Sequence, residues 1–147
     1  MSEESQEQPA DPESGTVPAT PGSTVRNLDE LDDLAASYSP DVPQEVRFPG
    51  GELELSQCGM SHHRLKPDRR QAFGHRHQRA EEVYVVLAGS GRVKLDDEIR
   101  EVGRLDAIRV GPEVVRAFEA GPEGLEFIAF GRRFEGDGQV VRDWWVD

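Results

Sequence analysis

The segment Phe73-Gly74-His75-Arg76-His77-Gln78-Arg79-Ala80-Glu81-Glu82-Val83-Tyr84-Val85-Val86-Leu87-Ala88-Gly89-Ser90-Gly91 joins a His-x-His pair to a β-branched and aromatic run. It closes on glycine and serine, which favour turns. In an extended strand, residues two apart point to the same face, roughly 6 to 7 Å apart along the chain, so His75 and His77 can share one ion. The link from His77 to Glu82 is short enough for the next strand to return alongside and add a carboxylate. Two neutral imidazoles and a carboxylate suit zinc, iron, manganese, nickel or cobalt. The same set with open positions is the facial arrangement of non-haem iron oxygenases.

Outward from this segment, short apolar or alternating runs recur between Gly, Pro and Asp punctuation, and the helical period is absent. The expected strands are Glu52 to Gln57, Ser61 to Leu65, Ala72 to His77, Glu82 to Leu87, Arg92 to Leu95, Ile99 to Val102, Ala107 to Val110, Val115 to Glu119 and Leu125 to Phe130. Turns are expected at Ala88-Gly89-Ser90-Gly91, Asp96-Asp97, Gly111-Pro112 and Gly121-Pro122-Glu123-Gly124. Many short strands with no helix between them predict an all-β antiparallel sandwich or barrel. A jelly roll closes the edges of such a sheet.

The amino-terminal part reads differently. Residues 1–25 hold Glu3, Glu4, Glu7, Asp11 and Glu13, no Lys or Arg, and almost no large apolar side chain. Such a segment cannot bury enough surface to offset the entropy of ordering, which predicts a disordered acidic tail. Residues 26–47 form a lead-in: Leu28, Leu31 and Leu34 recur at three-residue spacing, Asn27 can cap, Glu30 sits at the capping-box position and Pro40 stops the run. One short amphipathic helix and a linker are expected there. Residues 48–147 are then the barrel and its carboxy-terminal extension.

Formal net charge is −12 over 147 residues. A nucleic-acid backbone or an anionic membrane requires concentrated positive charge, so neither is expected as a partner. A single cysteine, Cys58, excludes an internal disulfide framework. No stretch has the apolar length of a signal peptide or membrane span, and a cytoplasmic location is expected. Neither a Gly-rich phosphate cradle nor a nucleophile elbow is present, so no nucleotide cofactor is expected.

The chemistry-bearing segment resembles the first motif of the cupins, in which G, five residues, H-x-H, three or four residues, E, six residues and G follow in order. His75, His77, Glu82 and Gly89 hold four of those positions, and Arg69 replaces the leading glycine. The resemblance extends over roughly residues 52–130. It implies a double-stranded β-helix barrel, motif residues facing inward, a small-molecule ligand and pairing of two copies through sheet edges. The second cupin motif is degenerate: Leu105, Gly111, Glu113, Arg116 and Ala120 stand in its signature positions. In metal-binding cupins the histidine of that motif is the fourth ligand. Arg116, at its position here, has no lone pair and cannot ligate.

Two arrangements remain open. Arg116 pairs inward with Glu82 and leaves a metal-free pocket for an anionic molecule, or it stands aside and grips a carboxylate while His75, His77 and Glu82 keep a divalent metal such as Fe, Mn, Zn or Ni. Functions compatible with these are a small-molecule-binding barrel with Arg116 as anion anchor, an iron- or manganese-dependent oxygenase or isomerase, and a metal-free protein-interaction barrel. Tyr84 and Val86 share parity with Glu82, and Phe118 with Arg116; all should line the interior, with Tyr84 and Phe118 the candidates for ligand contact.

Of His62 and His63, adjacent in one strand, only one can point inward. Cys58 is expected to be a small buried side chain. Arg64, Lys66, Arg69, Arg70, Arg76 and Arg79 form a basic stretch, either a solvated face or a funnel for anions. Trp144 and Trp145 should pack across the barrel or a partner.

Overall fold

Eight strands build the barrel in the computed structural model, which describes residues 20–38 and 41–145. They are β1 (Gln44–Arg47), β2 (Cys58–Leu65), β3 (Gly74–His77), β4 (Glu82–Leu95), β5 (Glu98–Gly103), β6 (Ala107–Val110), β7 (Arg116–Arg132) and β8 (Gly138–Val141). All pairings are antiparallel. The order β1-β2-β7-β3-β8 forms one path, and β4 pairs with β5, β6 and β7. The expected all-β barrel is present.

Its strands are fewer and longer than expected. Glu82 to Leu87 and Arg92 to Leu95 are one strand, β4; the two runs expected over residues 115–119 and 125–130 fall on one strand, β7. The intervening glycine-rich segments bend without reversing the chain, and the β4–β7 ladder slips in register between Val86 and Ala88 and between Gly89 and Gly91. Paired bulges of this kind turn a sheet around a barrel corner. Gly89 has φ +75°, and a Cβ there would lie 2.1 Å from the carbonyl oxygen of Gly124, itself at φ +82°. Two backbones meet where no side chain fits.

The run expected as a strand over Glu52 to Gln57 is instead a chain of turns, with Leu53 N–H donating to the Pro49 carbonyl and Leu55 N–H to that of Gly50. The strands β1 and β8, too short and polar to show a period, were not expected. The lead-in helix is present as two single 3-10 turns, Leu28–Glu30 and Ala35–Ser37. Asn27 caps the first by accepting from Asp29 N–H. A continuous helix is prevented by Asp33, whose Oδ1 accepts from the N–H groups of both Ala35 and Val46 and so ties the chain to β1. The tail expected as disordered lies, over residues 1–19, outside the described residues.

Leu65, Tyr84, Val86, Val93, Val102, Val110, Phe118, Leu125 and Phe127 fill the interior from five strands. Phe118 and Phe127 stack with centroids 4.2 Å apart, and Tyr84 tilts against both. Trp144 covers Gly74 of β3 and lies under the Lys94 ammonium, 4.2 Å from its ring centroid, so the carboxy-terminal extension packs across the barrel. Among the described residues, no helix is long and apolar enough to cross a membrane.

Candidate metal and ligand site

His75 and His77 alternate with Gly74 and Arg76 on β3, a strand held between β7, through His75 and Arg116, and β8, through His77 and Gly138. Glu82 opens β4 opposite Gly131 of β7. The three side chains converge, with one ligand atom from each lying within 4.8 Å of the others. Their meeting point is Oε1 of Glu82, 3.2 Å from Nε2 of His75 and 3.0 Å from Nε2 of His77. Tyr84 donates its hydroxyl to the same oxygen at 2.9 Å. Burial alone would raise the Glu82 carboxyl, but hydrogen bonds and charge from His75 and His77 prevail and hold it well below the usual carboxylate range. Burial, reinforced by the Glu82 charge, pushes the Tyr84 phenol up, so it stays a donor.

Arg116 is wholly buried. Its Nη1 donates to the Val114 carbonyl at 2.9 Å and approaches the His75 carbonyl at 3.4 Å, while Nη2 lies 3.5 Å from Oε1 of Glu82. The guanidinium therefore stands behind the cluster, fixed by backbone oxygens. Tyr84 and Phe118 are buried in the aromatic floor beside it.

Sequence reasoning had no access to Asp137. Its Oδ2 lies 3.3 Å from Nδ1 of His77, within ion-pair range though not aligned for a hydrogen bond. The carboxylate also accepts from the N–H groups of Arg79 and Ala80. Burial raises its carboxyl, but those two N–H groups and the nearby His77 prevail and hold it below the ordinary value. It lies far along the chain in a Gly-Asp-Gly turn, and no spacing ties it to the His-x-His pair.

A cavity of about 400 Å³ opens onto this cluster; its wall includes His77, Glu82, Asp137, Ser61, Arg132 and Phe134. The guanidinium of Arg79 stacks 4.1 Å from the Phe134 ring centroid and that of Arg132 5.0 Å, which places two cations on one aromatic at the mouth. Cys58 is exposed at the same mouth, a correction to the expected buried thiol; β2 begins there, outside the packed interior. Half of the basic stretch is paired with acids: Arg64 with Asp29 and Glu126, Arg69 with Asp41 and Arg70 with Glu119. Of the adjacent histidines, His63 points inward, stacked on Phe127 at 4.7 Å, and His62 pairs with Glu126 at 3.0 Å.

The same winding of strands occurs in solved structures. A cupin protein from Bacteroides fragilis shares 22% identity over 84% of this chain and 99% of its own, with a TM-score of 0.58. The polyketide cyclase RemF from Streptomyces resistomycificus shares 18% identity over 84% and 87%, with a TM-score of 0.65. The chain has the cupin fold. A putative sugar phosphate isomerase from Acidithiobacillus ferrooxidans aligns at 19% identity and TM-score 0.57 over 65% of this chain and 64% of its own length. No family model and no curated protein matches the sequence. Proteins of this fold include a cyclase and a putative isomerase, and fold alone does not fix activity.

Proposed function

We propose that this cupin binds a small anionic molecule in the cavity at the barrel mouth, beside a divalent metal held by His75, His77 and Glu82. The observation that carries the reading is the placement of His77 between two carboxylates, Glu82 at Nε2 and Asp137 at Nδ1. A neutral imidazole carries one proton and can satisfy only one of them. If the proton faces Asp137, the Nε2 lone pair is aimed at a carboxylate oxygen, an arrangement that a cation between them relieves. A carboxylate behind a ligating histidine is the usual device that fixes ring orientation and raises basicity at metal centres.

Charge supports an anionic partner. With neutral imidazoles, Glu82 and Asp137 outweigh Arg116 by one negative charge; a divalent ion reverses the sign, and an anion then restores neutrality. Arg132 lines the cavity, and Arg79 stacks on Phe134, another residue of its wall. When bound, the metal would supply Lewis acidity toward a ligand oxygen. Around it, Tyr84 steadies Glu82, Asp137 steadies His77, and the aromatic floor excludes water from below.

The proximity of Arg116 to Glu82 favours a second reading, a metal-free anion pocket. Elemental analysis of protein purified without chelator or metal resin decides between them. About one equivalent of divalent metal, lost in His77→Ala, supports the metal reading. Metal-free protein whose melting temperature ignores added zinc, manganese, nickel and cobalt sinks it.

A further inference from the structure

A chain of fixed hydrogen bonds runs from the backbone of β7 to a hydroxyl in the cavity wall. Phe118 N–H donates to Oε1 of Gln71 at 3.0 Å, which fixes the orientation of that amide, because a backbone N–H can only donate. Nε2 of Gln71 then donates to Oε1 of Gln44 at 3.2 Å. The same Oε1 lies 3.1 Å from Nδ1 of His63, so Nδ1 must carry the imidazole proton. Nε2 of His63 is left as a lone pair, 2.9 Å from the Ser61 hydroxyl oxygen. Each orientation follows from its predecessor, and the last consequence is that Ser61 donates inward.

Ser61 is nearly buried, 9% exposed, yet forms part of the cavity wall together with His77 and Glu82. Half-buried and stacked on Phe127, His63 stays uncharged: desolvation, with a smaller contribution from His75, pushes its imidazole down to about 3. The acceptor for the Ser61 proton is thus present across the physiological range.

We infer that Ser61 is a specificity-determining residue, its proton committed to His63 so that its oxygen accepts a hydrogen bond from an O–H or N–H group of the bound anion. The inference rests on the cavity being a ligand site and narrows the ligand to a small anion that also carries a donor, such as a hydroxy or enolised carboxylate. A methyl ether of the same shape offers Ser61 no donor and leaves a buried oxygen unpaired, which is the costly case.

Nitrogen-15 imidazole NMR of the full chain tests the relay without any ligand. The expected result is one neutral His63 ring, protonated on Nδ1, from roughly pH 8 down to about pH 5. Protonation on Nε2 overturns the inference. Affinities are then measured by NMR titration for matched hydroxy and methoxy carboxylates: lactate with 2-methoxypropanoate, salicylate with 2-methoxybenzoate, and 4-hydroxybenzoate with 4-methoxybenzoate. At least one hydroxy member should bind about fivefold tighter than its ether. That preference should vanish in Ser61→Ala and persist in Ser61→Thr, with melting temperatures confirming that both variants fold. Binding without preference, or a preference kept in Ser61→Ala, overturns the role of Ser61 while the ligand site stands. If no member of any pair binds at millimolar concentration, the ligand-site reading fails and takes this inference with it.

Discussion

Nη2 of Arg116 lies 3.5 Å from Oε1 of Glu82, and the guanidinium has no exposed surface at all. Four backbone carbonyls, those of Val114, His75, Pro112 and Gly111, lie within 3.5 Å of its terminal nitrogens. A long cationic side chain stands where a metal-binding cupin would place a histidine. It is held by the turn that precedes its own strand, which makes it a permanent counter-charge for Glu82.

Replacing that cation should therefore be costly. Arg116→Met keeps most of the volume but leaves Glu82 without its buried partner and the carbonyls without donors; breaking a buried pair from one side costs about 3–5 kcal/mol. Urea denaturation should show a loss of that order. Added divalent metal should recover part of it, because the repulsion between ion and guanidinium is gone. A variant as stable as the parent would remove Arg116 from its role as counter-charge.

At the barrel corner, Gly89→Ala introduces a Cβ into a left-handed backbone position, 2.1 Å from the Gly124 carbonyl oxygen. Neither backbone can retreat without opening the β4–β7 ladder. Destabilisation by roughly 3 kcal/mol or more is expected, with the paired bulges lost from the amide exchange pattern. Gly103→Ala, at a position with open space around the added carbon, should change little and serves as the control.

The sequence carried the barrel and the three converging side chains because both are local. Alternation marks a strand within a few residues, and His75, His77 and Glu82 sit on one strand-loop-strand unit. Strand continuity was not legible, since Ala88-Gly89-Ser90-Gly91 has the composition of a turn and only its pairing with β7 makes it a bulge. Asp137 and Gln44 were invisible for a related reason: each reaches the site through tertiary packing from a remote stretch; Gln71 lies four residues before His75, but its partners Gln44 and Phe118 are distant in the chain. The leucine spacing of the lead-in predicted one helix, but Asp33 took the backbone N–H groups into a different pattern.

The half-buried, desolvated imidazole of His63 gives stability a pH dependence of known sign. Its folded value is pushed from 6.5 down to about 3, chiefly by burial, so below about 6.5 the unfolded chain binds a proton that the native barrel refuses. The contribution is complete above that value and is lost as pH falls from about 6.5 toward 3. Comparison with His63→Gln isolates it from other titrating groups. The stability of the parent relative to the variant should decline through that window, measured by urea midpoints at several pH values. A difference that stays constant would mean that His63 titrates normally and is not enclosed.

Asp137 offers the sharpest separation between a metal centre and a plain hydrogen-bond cluster. In Asp137→Asn the one remaining side-chain oxygen can accept from only one of the Arg79 and Ala80 N–H groups, which bond different oxygens of the carboxylate, so the turn before β8 keeps one of these two anchors. What disappears is the negative charge beside Nδ1 of His77, which orients the ring and strengthens Nε2 as a donor of electrons. Loss of such a partner behind a ligating histidine lowers metal affinity about 10- to 100-fold. Calorimetric titration with zinc or manganese should show a decrease in that range, while the melting temperature of the metal-free protein moves by only a few degrees. Equal affinity in parent and variant would place Asp137 among the residues that merely hold the turn. It would also remove the strongest argument that His77 faces a metal at all.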